Sequence, residues 1–203
     1  MGETPSASSG RDSGPARDES LGQAQDRLWL LLIYTVPAEP SRKRAFVWRE
    51  LKKAGAVYLR DGVCALPERE AALAAFRAIA ARVEEFGGQA ILVRGARLEH
   101  EPAEKVTAQL RAARAEEYAD VAREAERLLE HVRRETEHRE FTFAELEELE
   151  ADLGKLRRWL DQIRARDYFG AEAADRVDEL LGRCEAELGS FLEEAFRREE
   201  AAR

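Results

Sequence analysis

Only two cysteines, Cys64 and Cys184, occur in the 203 residues, and they lie far apart, without metal-ligand spacing. That excludes a disulfide framework and a cysteine zinc site, and it fits a reducing compartment. No apolar run is long enough to span a membrane. The first one, residues 28–36 (LWLLLIYTV), is short and preceded by acidic residues, so neither an export signal nor an anchor is expected, and a cytoplasmic location is. A phosphate-binding glycine loop, a nucleophile elbow and an HExxH sequence are all missing, and the carboxylates are spread at spacings that solvate helices rather than paired for acid/base work. Cys64 falls in a strand-like run and reads as a small core hydrophobe. No enzyme and no cofactor are therefore expected.

Charge is abundant and unevenly placed. Charged residues make up 36% of the chain, and with so much Ala, Glu, Arg and Leu they imply long solvated helices. Residues 1–26 carry two basic and five acidic side chains, residues 27–98 thirteen and seven, and residues 99–203 eighteen and twenty-nine. A basic middle beside an acidic C-terminal half calls for an anionic partner, or for docking of one half on the other.

Three regions follow. Residues 1–26 are rich in Gly, Ser, Pro, Asp and Arg and have no apolar run, the composition of a disordered tail. In residues 27–98, the apolar run 28–36 reads as a central strand that Pro37 and Pro40 end. Ser41 can cap a helix over 42–54, with Val47, Leu51 and Ala54 inward and Gly55 stopping it. Runs 56–60 and 63–66 flank Asp61-Gly62 as a hairpin. A helix over 68–86 places Leu73, Phe76, Ile79 or Ala80, and Val83 on one face, Gly87-Gly88 breaks it, and 90–93 reads as a last strand. The order βαββαβ predicts an α+β fold whose first domain is ferredoxin-like, a four-stranded antiparallel sheet carrying two helices on one face.

Residues 99–203 read as an antiparallel three-helix bundle. The first helix, to about residue 139, has Val106, Leu110, Ala113, Val121, Leu128 and Val132 as its buried stripe. Thr142 and Glu145 form a capping box for the second. That second helix carries Leu146, Leu149, Leu153, Leu156, Leu160 and Ile163 at alternating three- and four-residue steps, a seam that demands a helical partner; since ferredoxin-like sheets also often pair across a symmetric interface, a homodimer is expected. The third, over about 172–198, buries Val177, Leu180, Leu181, Cys184, Leu188, Phe191 and Leu192.

The strongest candidate site is the basic first helix. Arg42, Lys43 and Arg44 open it where backbone N–H groups and the positive dipole end already favour an anion, and Arg49, Lys52 and Lys53 extend the charge. Arg42, Arg49 and Lys53 share one face, so this helix could meet DNA phosphates or a tetrahedral oxyanion such as chromate. His131, Glu135 and His138 stand at i, i+4 and i+7, a spacing that could hold a metal, but an exposed helix end accounts for them better and no metal is expected. The string RAARAEEY, with Arg111, Arg114, Glu116, Glu117 and Tyr118, reads as surface pairs with one packed ring. Tyr168 and Phe169, in the connector DYFG, read as staples to the bundle.

The string WLLLIYTVPAEPSRKRAFVWRELKKAGAVYLRDGVCALPE resembles the opening of ChrB-type chromate-resistance proteins, and RAARAEEYADVAREAERLL and IRARDYFGAEAA agree with it over most of residues 27–200. More remotely, the pattern is similar to the central domain of PaaX-type repressors and to the small CRISPR-adaptation nucleases. The nucleases use an acidic residue at the end of the first strand, where this chain has Thr35-Val36-Pro37, so nuclease activity does not carry over. Longer ChrB-type proteins add a C-terminal domain associated with chromate response. The resemblance implies a regulator or accessory factor of chromate resistance, binding DNA or the chromate oxyanion. The alternative is an interaction module that acts through its helical bundle without binding DNA.

Overall fold

A computed structural model describes residues 27–138, 143–170 and 173–201. The tail expected over 1–26 and the Thr142 half of the capping box lie outside the described residues, as do residues 139 and 172 at the expected helix ends. The elements run β1 (Trp29–Thr35), α1 (Ser41–Lys53), β2 (Val57–Arg60), β3 (Val63–Pro67), α2 (Glu70–Glu85), β4 (Gln89–Ala96), α3 (His100–His138), α4 (Phe143–Arg164) and α5 (Ala173–Ala201).

The four strands form one antiparallel sheet in the order β2-β3-β1-β4. β1 is central because its apolar run can be covered where an edge strand's could not: Trp29, Leu30 and Leu32 are fully buried. The β2–β3 hairpin turns at Gly62, whose φ is +70° and whose Cβ would stand 2.5 Å from the Tyr34 carbonyl, so only glycine fits. Val47 and Leu51 of α1 join Leu73, Phe76, Ile79 and Val83 of α2 in one core with Leu30, Leu32, Cys64 and Leu66. Val106 and Leu110, from the first turns of α3, complete that core, so α3 is a spine shared by two cores.

Further along, α3 contributes Tyr118, Val121, Ala125, Leu129 and Val132 to a second core with α4 and α5. All six seam residues of α4, Leu146 to Ile163, are buried there against α3 and α5. The seam is covered within the chain, which removes one of the two grounds on which a homodimer was expected. Five of the six residues of the expected α3 stripe are buried, and only at Ala113 does it depart: Ala113 is half-buried and Arg114 beside it is buried. Ion pairs bridge the outer rims of the helices, among them Arg176 to Glu126 at 3.0 Å, Arg133 to Glu187 at 3.1 Å, and Arg157 to Glu185.

Candidate functional site

Helix α1 begins one residue earlier than its sequence suggests. Pro40, extended at φ −78° and ψ 144°, takes the cap position, and its carbonyl accepts the Lys43 N–H at 3.0 Å. Ser41 is the first helical residue, and no side chain caps the helix. Proline already holds the extended backbone that a cap needs, which displaces the serine.

Around the outer arc of α1 stand Arg44, Trp48, Lys52, Arg49, Arg42 and Lys53, all exposed. Arg42, Arg44 and Arg49 make no ion pair among the described residues, while Lys53 pairs with Glu50 at 2.7 Å. Lys52 Nζ lies 5.0 Å over the Trp48 ring, and Trp48 is itself 49% exposed. Lys43 departs from this group. It turns inward, donates to the Phe86 carbonyl at 3.0 Å and sits over the Phe86 ring, because its position on the helix faces α2 rather than solvent. Five of the six expected cations therefore share one surface.

At the edge of that surface a cleft of about 670 Å³ opens between α1 and the ends of β1 and β2, lined by Tyr34, Thr35, Arg44, Trp48, Tyr58 and Asp61. The Tyr34 and Tyr58 hydroxyls are hydrogen-bonded at 3.2 Å, and burial raises the pKa of both phenols. Cys64, fully buried, has its thiol pushed up to about 12 by burial, which leaves it protonated at neutral pH. Arg44 supplies the cleft with a fixed positive charge beside two hydroxyls and an indole, donors suited to an anion or a flat π system.

The second assembly joins two strings that the sequence presents separately. Arg114 Nη2 pairs with Glu117 Oε1 at 3.1 Å, and Arg166 Nη2 with Glu117 Oε2 at 3.2 Å. Arg166 Nη1 donates to the Lys53 carbonyl at 3.1 Å and so closes the C-terminus of α1. The Tyr118 hydroxyl donates to Asp167 Oδ2 at 3.1 Å, and burial first, then Asp167, pushes its pKa up to about 12. Burial pulls the Arg114 guanidinium below its ordinary value, against the pull of Glu117. These are not surface pairs. Tyr168 and Phe169 also staple in the other direction from that expected: Tyr168 belongs to the core of the sheet domain under Arg69, and Phe169 lies between Arg27 and Arg111. Arg27, Arg69 and Arg111, the last on α3, supply the cations that these rings meet. The α4–α5 connector thereby fastens the bundle to the sheet domain.

Of the expected metal-spacing residues, His131 and Glu135 do approach one another, with His131 Nε2 at 3.4 Å from Glu135 Oε1. His138 is not part of the group. Its place is taken from the next helix by Glu145, whose Oε1 is 3.1 Å from the same His131 Nε2.

The family described as protein ChrB, N-terminal, matches residues 44–202. The match covers α1 almost from its start and all the helices that follow, and the chain belongs to that family, which relates it to chromate resistance. No curated protein matches the chain, and no solved structure does.

Proposed function

We propose that this ChrB-family chain is a non-catalytic, cytoplasmic regulator or accessory factor of chromate resistance, and that it meets DNA phosphates through the outer arc of α1. The observation that carries the reading is the trio Arg42, Arg44 and Arg49, three exposed guanidinium groups with no carboxylate partner among the described residues, beside an exposed indole. Unpaired arginines on a rigid helix lose little side-chain order when they take phosphate oxygens, and Trp48 adds a stacking surface. The acidic bundle touches α1 through Arg166 at its C-terminus, which leaves the N-terminal half of the arc open to a partner. The split βαββαβ order and its strand sequence support a ferredoxin-like reading of the first domain, and the shared core of α3, α4 and α5 supports a three-helix bundle. The homodimer is not carried into this proposal, because the seam that helped to motivate it is covered.

Chromate is the second anion to consider, and the Arg44 cleft is where its oxygens would find hydroxyl and guanidinium donors together. The DNA reading is tested by one titration. Replacing Arg42, Arg44 and Arg49 together by alanine removes no core residue, so the fold is retained. The exchange should weaken binding to the DNA upstream of the gene and lower the slope of log K against log salt by about 3. A gel shift unaffected by the triple exchange removes α1 as the DNA surface, and the lack of any shift with the unaltered chain favours the interaction-module alternative.

A further inference from the structure

We propose that His131, Glu135 and Glu145 form a binding site for one divalent transition-metal ion, bridging α3 and α4. The three ligand atoms lie within 4.8 Å of one another. Two carboxylate oxygens face a single imidazole nitrogen, at 3.1 and 3.4 Å. One Nε2–H can be directed at only one of those oxygens, and an unprotonated Nε2 turns its lone pair on both. A cation between them resolves either difficulty. Bond lengths of roughly 2.0–2.2 Å to nitrogen and oxygen at a tetrahedral centre place neighbouring ligand atoms roughly 3.3–3.6 Å apart, close to the two distances from His131.

The surroundings favour a cation for a second reason. Glu135 is buried, with 8% of its surface exposed, and it stands in the last turn of α3, where the helix dipole disfavours a negative charge. Among the described residues its one other contact of opposite charge is Arg134, whose Nε is 3.2 Å away on a largely exposed side chain, a pairing that water screens. Two carboxylates and a neutral imidazole offer a dication matching charge. Their mixed nitrogen and oxygen donors suit zinc and its first-row neighbours, rather than calcium or magnesium. His131 also lines an open cleft between α3 and α4, with Leu128, Asp152 and Leu156. That gives an ion a way in and leaves room for water at the remaining coordination position. The ion would fix the α3–α4 hairpin.

The full chain, stripped with EDTA, can be titrated with cobalt(II) and followed by visible absorption, then with zinc by calorimetry. One equivalent should bind, without a thiolate-to-cobalt band because both cysteines are buried, and zinc should raise the melting temperature. His131→Ala and Glu145→Gln should each weaken zinc binding at least about tenfold, with helical circular dichroism unchanged. His138→Ala should bind as the wild type does. The site is refuted by the lack of saturable one-equivalent binding, or by its survival in the His131→Ala/Glu145→Gln double variant. Loss of binding in His138→Ala likewise overturns this ligand set.

Discussion

Tyr118 shows how far one side chain can decide the joint between the two halves of the molecule. Its ring is 1% exposed in the bundle core, while its hydroxyl reaches Asp167, which also accepts the backbone N–H of Gly170 at 3.0 Å. Asp167 therefore organises the connector through donors from two directions. Tyr118→Phe keeps the ring and deletes one donor to a charged acceptor, a loss of about 2 kcal/mol. For a chain of this size that is a fall in melting temperature of about 4–8 °C, measured by calorimetry. A melting temperature unchanged in Tyr118→Phe would mean that the other contacts of Asp167 hold it without the hydroxyl. Gly55 belongs to the same joint. It is buried at φ +75°, and a Cβ there would meet Arg114 Nη1 at 3.0 Å and the Arg166 side chain at 3.5 Å. The glycine that reads in the sequence as a helix stop is thus also the seat of the Arg114 guanidinium. None of this pairing is visible in the strings RAARAEEY and RDYFG, because residues 49 apart meet only after α4 has returned along α3.

Helices explain which expectations survive folding and which do not. The leucine ladder of α4 is apolar at every third or fourth residue, and all of it is buried, so periodicity located the face. What periodicity lacks is the identity of the cover: α3 and α5 fill it from within the same chain, where a second copy would have served the pattern equally well. Leu149, fully buried at the centre of that packing, should lose about 2–5 kcal/mol on replacement by alanine. Trp48→Ala on the open side of α1 should stay within about 0.5 kcal/mol of wild type. Urea unfolding of the two variants measures the contrast, and comparable destabilisation would mean that Trp48 is a packed residue rather than a free surface. The strands followed the same logic. β1, the hairpin at Gly62 and α2 lie within two residues of where apolar runs and glycines put them. β4, by contrast, extends three residues beyond the apolar run, through Arg94 and Gly95, since a strand paired with the central β1 is held by its ladder as well as by its side chains.

Across the whole molecule, the uneven charge of the sequence becomes a spatial fact. The basic arc of α1 stands free, and the acidic helices are tied to the other end of the same helix by Arg166, Glu117 and Arg114. The sequence carried the two charge blocks but not their separation, which depends on where α3 crosses the sheet domain. Glu116, exposed on α3, lines a cleft with Lys52 at the boundary between the two. A DNA strand lying along the arc would therefore approach, at its C-terminal end, a carboxylate with no ion pair among the described residues. Two unit charges roughly 10 Å apart in water interact by about 0.4 kcal/mol, and salt near 0.1 M screens most of that. Glu116→Gln should consequently strengthen DNA binding about twofold at low ionic strength, and this gain should vanish as salt is raised. A partner held by apolar contacts with the bundle would not respond in this way. Fluorescence anisotropy of labelled DNA at several salt concentrations distinguishes the cases: a gain that persists at high salt, or an affinity that falls in Glu116→Gln, would place the bound strand away from the end of α1 marked by Lys52.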